Sequence, residues 1–121
     1  MTTIKKARAL PIFRMGETNF YVDTRLGEFR EVDAAWNRIS MDEIKTSASE
    51  ATEFAFDRHT KNIYREHINP DHIPAHVKLV IVPPLSQLDP VGLARKFNLS
   101  APADIILHAN KRIRHNRGHR P

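Results

Sequence analysis

The hydrophobic and polar positions between residues 10 and 32 fall into three short runs separated by turn residues. Residues 10–15 read as a strand. Gly16-Glu17-Thr18-Asn19 supplies turn chemistry, and Phe20-Tyr21-Val22-Asp23 follows, rich in the aromatic and β-branched residues that fit a pleated surface. In Asp23-Thr24-Arg25-Leu26-Gly27 an Asp can hydrogen-bond a turn and a Gly can take positive φ, so the chain returns into Phe29-Arg30-Glu31-Val32. The same form recurs later. Glu53-Phe54-Ala55-Phe56-Asp57 is a strand, residues 58–62 make a turn opened by Asp57 and closed by Asn62, and Ile63-Tyr64-Arg65-Glu66 returns. The likeness is a faint internal echo that shared turn chemistry also explains.

Between the hairpins, Ser40-Met41-Asp42-Glu43 fits a capping box, and Ile44, Ala48 and Ala51 recur at helical spacing, which predicts a short amphipathic helix over residues 41–51. Two prolines, Pro70 and Pro74, make residues 68–74 a loop. Residues 76–82 are the most hydrophobic run and are expected at the centre of the sheet. Beyond Pro83-Pro84, Asp89 is a good N-cap, Pro90 suits the first helical position, and Leu88 and Leu93 stand at the two positions of a hydrophobic staple. This helix is expected to stop near Asn98. A second, capped by Ser100, carries Ile105, Ile106, Ala109 and Ile113 before a polar end.

Hairpins followed by helices predict an α+β fold, with one antiparallel sheet of five to six strands and two short C-terminal helices on one face. The expected division is a single domain over residues 1–110 and a basic tail over 111–121. Composition agrees with one globular core: 40% of the 121 residues are hydrophobic and 27% charged. The run Leu79-Val80-Ile81-Val82 is far short of the roughly 20 residues a membrane-spanning helix needs. No signal-peptide stretch is evident and cysteine is absent, so the expected location is the cytoplasm, with no membrane partner.

The net charge of +5 changes the picture once it is divided. From Met1 to Pro90, twelve Lys and Arg face thirteen Asp and Glu; from Val91 onward, Arg95, Lys96, Lys111, Arg112, Arg114, Arg117 and Arg120 face Asp104 alone. An excess confined to one end points to a polyanionic partner, although basic ends also serve solubility. The cations of the tail fall on more than one helical face, which suits phosphate contacts more than base readout.

Gly92-Leu93-Ala94-Arg95-Lys96-Phe97-Asn98-Leu99-Ser100-Ala101-Pro102 resembles the first helix, tight turn and second-helix start of a helix-turn-helix, over about twenty residues. The resemblance implies DNA contact by the second helix. It departs from the pattern at Asp104, which stands where that helix needs an apolar residue.

Other chemistry is thinly signalled. His67, Asp71, His72 and His76 are of types zinc accepts, but their spacings in a proline-broken loop do not set them on one helical face, so no metal and no cofactor are expected. The four glycines are too scattered for a phosphate-binding loop. A small ribonuclease built on His59, Tyr64, Arg65 and His67 is one alternative function. Another is a protein-interaction adaptor: Phe20, Phe54, Phe56, Tyr64 and Trp36 exceed what a thin sheet hides, and Trp36, in a polar loop, is either a lid over the core or an exposed anchor for a protein partner. The leading expectation is a non-enzymatic intracellular accessory protein that binds nucleic acid or another polyanion through its basic C-terminal helix and tail.

Overall fold

Two glycines turn the first half of the chain into a meander. Gly16 (φ +60°) sits in the two-residue turn between β1 (Ile12–Met15) and β2 (Thr18–Asp23), and Gly27 (φ +71°) precedes β3 (Glu28–Glu31). Both positions lie in the left-handed region that a residue with Cβ adopts at a cost. As expected, Asp23 Oδ1 accepts the Leu26 amide at 3.1 Å and fixes the second turn. A fourth strand, β4 (Arg38–Ser40), adds to β3 and completes an antiparallel sheet ordered β1-β2-β3-β4. These elements belong to a computed structural model, which describes residues 8–97.

The second sheet consists of β5 (Thr52–Asp57), β6 (Asn62–Ile63) and β7 (Val77–Val82), again antiparallel, in the order β6-β5-β7. The chain is therefore α+β with antiparallel sheets of four and three strands, which corrects the expectation of one sheet of five to six. Strand β7 is also not central. It lies at an edge, and although Val80 and Val82 point into the core, Leu79 and Ile81 of the same run are exposed. The apolar density of this strand serves two faces.

The predicted helix over residues 41–51 does not form. Half of its capping box is present, since Ser40 Oγ accepts the Glu43 amide at 3.3 Å. Lys45 then turns to φ +58°, and the segment becomes a series of turns that buries Met41 and Ile44. A short apolar spacing with Ala at two of three positions offers too little packing to sustain a helix. In its place, Leu85 and Ser86 donate their amides to the Ser47 and Ala48 carbonyls, tying the turns to α1 (Leu85–Leu88). That helix carries no forecast from the sequence. The return strand of the second hairpin is likewise shorter than residues 63–66, covering Asn62 and Ile63 only.

Inward positions of both sheets meet in one core. Phe20, Phe29 and Phe56 are fully buried, with Met15, Val22, Ile39 and Val82 beside them. Phe56 meets the rings of Phe20 and Phe54 edge-on, at centroid distances of 6.0 and 6.3 Å. Each such ring is worth about 1.5–3 kcal/mol by burial. Of the aromatic surplus read from the sequence, Phe20, Phe54 and Phe56 are thus taken up by a two-sheet core, while Tyr64 and Trp36 stay outside it.

Polar groups join the sheets at one side. Buried Asn37 donates Nδ2 to Glu31 Oε1 (3.0 Å) and to the Lys61 carbonyl (2.7 Å), and its Oδ1 accepts Asn62 Nδ2 at 2.6 Å. Asn62 Nδ2 also reaches the Arg38 carbonyl at 2.9 Å. Lys61 at φ +57° closes the turn before β6, so its carbonyl faces Asn37. The helix α2 (Pro90–Lys96) follows α1 and buries Leu93 and Ala94, while Leu88 packs partly against the core. The second predicted helix and the basic tail lie outside the described residues. Among the described residues, no helix is long and apolar enough to cross a membrane.

Candidate anion-binding site

Asp89 is the organising residue of a cationic recess that the fold builds from distant segments. As the sequence predicts, it caps α2: Oδ1 accepts the Gly92 amide at 3.0 Å. Its second oxygen does more. Oδ2 accepts Thr24 Oγ1 at 2.7 Å and Arg8 Nη2 at 2.8 Å, with Asp89 1% exposed and Thr24 fully buried. One carboxylate thereby holds together the segment before β1, the β2–β3 turn and the first turn of α2. Gly92 is required by the same closeness, since a Cβ there would overlap both the Asp89 carboxylate and the Arg8 guanidinium. From the last turn of α2, Lys96 Nζ donates to the Thr24 carbonyl at 3.1 Å.

These contacts frame a cavity of about 620 Å³ whose charged side chains are Arg8, Arg25, Arg95, Lys96 and Asp23, with Leu10 and Gly92 completing the lining. The balance of charge decides what it suits. Arg8 is neutralised by Asp89. Asp23 is neutralised by Arg30, which stands 3.0 Å from Oδ2 and also pairs with Glu28 at 3.1 Å. Burial by itself would raise the Asp23 pKa, but the Leu26 amide, the Arg30 bond and the fields of Arg30 and Arg25 outweigh it and hold the carboxyl below its ordinary value. Arg30 is raised in turn, chiefly by its bond to Asp23 against the opposing effect of burial. Arg25 and Arg95 are exposed and make no ion pair among the described residues, and the Lys96 ammonium meets only a neutral carbonyl. Three cations without an ion-pair contact among the described residues stand around an open recess, an arrangement suited to an anion with several oxygens.

Of the residues singled out from the sequence, Arg95 and Lys96 line this cavity. Lys111, Arg112, Arg114, Arg117 and Arg120 lie outside the described residues, as does the second helix of the helix-turn-helix resemblance, for which α2 supplies the first. Arg8 and Arg25 escaped notice in the sequence, one in a polar lead-in and the other in a turn. Their only signal was the Gly three residues beyond a helix-capping Asp, which marks a close approach without naming what approaches.

Trp36 stands elsewhere, in the β3–β4 turn, and is 81% exposed, so it is no lid over the core. The ribonuclease group is dispersed in function: Arg65 forms a bidentate pair with Glu43 at 2.9 Å through both Nε and Nη2, and His67 is exposed. His59 stacks on His76 (centroids 4.5 Å, planes 6° apart), and Tyr64 meets His76 edge-on at 5.7 Å. Asp71 and His72 are exposed, apart from that group.

Set against known protein families, curated proteins and solved structures, the chain matches none of them.

Proposed function

We propose that this protein binds a phosphate-bearing polyanion, nucleic acid foremost, with the recess beside α2 as its ordered contact. The observation that carries the reading is the set of uncompensated cations, Arg25, Arg95 and Lys96, around one cavity. The chain continues from Lys96 into residues 98–121, which bring five further cations against Asp104 alone, and so extends the same charge along the sequence. Guanidinium groups match phosphate oxygens bidentately, and the exposed lysine adds a point charge. The contacts go to the backbone of the polyanion, and sequence preference is weak.

Fluorescence anisotropy of labelled single- and double-stranded RNA and DNA tests this at two salt concentrations. Binding weakens with salt by a log–log slope of about −0.7 to −0.9 per phosphate contacted. The double variant Arg25→Ala/Arg95→Ala reduces the size of that slope by about 1.4 to 1.8 if each residue meets one phosphate. An unchanged slope assigns binding away from the recess, and absence of binding by the intact chain at about 50 mM salt ends the nucleic-acid reading.

A second reading, a protein-interaction adaptor, is favoured by Trp36, an indole exposed on a turn where it serves no packing. Aromatic anchors of this kind dominate interface energetics. The two readings separate by salt, since a Trp-anchored partner stays bound where a phosphate contact is lost.

A further inference from the structure

The geometry points to a divalent metal site formed by Asp57, His59 and His76, for a borderline transition ion such as Zn²⁺ with its remaining positions open to water. One ligand atom from each of the three residues falls within 4.8 Å of the others. This set is different from the zinc candidates the sequence singles out, sharing with them only His76, and it stands against the expectation of no metal. It is also independent of the phosphate reading, being built where β5 ends and β7 begins with none of the cavity-lining residues.

The β-ladder sets these residues side by side. Asp57 ends β5 directly opposite Val77, the first residue of β7, and the Arg58 amide donates to the His76 carbonyl at 2.7 Å. His76 is thus held across from Arg58, one place diagonal to Asp57, by backbone pairing. His59 arrives through the turn that Asp57 itself organises: Oδ1 accepts the His59 amide at 2.8 Å and the Thr60 amide at 3.3 Å. Oδ1 is engaged in that turn, and Oδ2 makes no hydrogen bond among the described residues. Neither imidazole spends a ring nitrogen on a hydrogen bond there. Asp57 and His76 are half-buried while His59 is exposed, so two donors are positioned and one is free to adjust.

Two imidazoles and a carboxylate are a donor set that Zn²⁺ and its neighbours accept, with bonds of about 2.0–2.2 Å. Donors on one tetrahedral ion lie about 3.4 Å apart, so atoms within 4.8 Å of one another close by at most about 1.4 Å on binding. The rings must also leave their parallel stack, because nitrogen lone pairs lie in the ring plane and two separate parallel planes share no ion. The exposed His59 is the ring that turns. Tyr64, edge-on to His76, keeps that ring in place. Zinc binding therefore has a specific structural signature, the loss of the His59–His76 stack.

The test is a titration of the full chain with ZnCl₂, following the imidazole signals of each histidine by NMR and the heat by calorimetry. The expected result is one equivalent that shifts His59 and His76 together, before any response from His67, His72, His108, His115 or His119, and a rise in Tm. His59→Ala, an exposed position whose replacement leaves the core intact, weakens this event at least tenfold. Asp57→Asn keeps an Oδ1 acceptor for the turn amides, removes the anionic oxygen and weakens it as well, whereas a His67→Ala/His72→Ala variant binds as the parent does. Unmoved His59 and His76 signals at equimolar zinc and micromolar protein would overturn the site, as would undiminished binding by a folded His59→Ala chain.

Discussion

Arg8 Nη2 and Asp89 Oδ2 stand 2.8 Å apart although 81 positions separate them along the chain. The pair anchors the start of the first sheet to the cap of α2, and it lines the recess with a cation that is already neutralised. The uncompensated charge consequently falls to Arg25, Arg95 and Lys96, the three groups through which the proposed binding acts.

Asp89→Ala removes an N-cap worth about 1 kcal/mol and two further hydrogen bonds, one buried and one part-buried, at about 1 kcal/mol each. A loss of about 3 kcal/mol is expected as a lower urea midpoint with an unchanged m-value. Asp89→Asn retains an oxygen for the cap and loses less. Arg8→Ala costs less still, because Thr24 and the Gly92 amide continue to hold the carboxylate.

Asn37 joins the sheets through three partners of its side chain, so Asn37→Ala leaves Glu31 Oε1 and the Lys61 carbonyl without their donor. The expected loss is about 2–3 kcal/mol. Hydrogen exchange that quickens first at β4 and β6 would identify the network as the point of failure.

Asp23 gives a pH dependence of defined sign. Its folded pKa is depressed below 3.8, so its contribution is fully present above the unfolded value and disappears as pH falls through the folded one. Stability measured from pH 5 downward declines below about pH 4 in the parent, and the decline is shallower in Asp23→Asn. An equal slope in both would remove Asp23 from the acid response.

Trp36 is the only tryptophan and is 81% exposed. Its emission is already that of a solvated indole in the folded chain and changes little on unfolding. Trp36→Ala alters stability by less than about 0.5 kcal/mol, whereas loss of a bound protein partner would assign the indole to an interface.

The strands and turns of the first hairpins were legible because their chemistry is local. Asp23 and Gly27 set one turn and Asp57 the other, while the cap at Asp89 is read from three consecutive residues. What failed was decided by partners far along the chain. Residues 41–51 carry helical spacing, yet Leu85 and Ser86 bond to Ser47 and Ala48 and hold that segment as turns. Residues 76–82 read as a central strand because apolar density does not distinguish burial on two faces from an edge with Leu79 and Ile81 exposed. The three-residue β4 has too few positions to show a period, and its pairing with β3 shapes the first sheet. Arg95 and Lys96 were found by their charge, but Arg8 and Arg25 join them only through the contacts of Asp89 and Thr24.

The most direct measurement is an amide NMR titration of the full chain with a short oligonucleotide at low salt. The account predicts shifts concentrated at Arg25, Gly92, Arg95 and Lys96 among residues 8–97, abolished there by Arg25→Ala/Arg95→Ala. Shifts confined to residues 98–121, or centred on Trp36, or absent altogether, would contradict it.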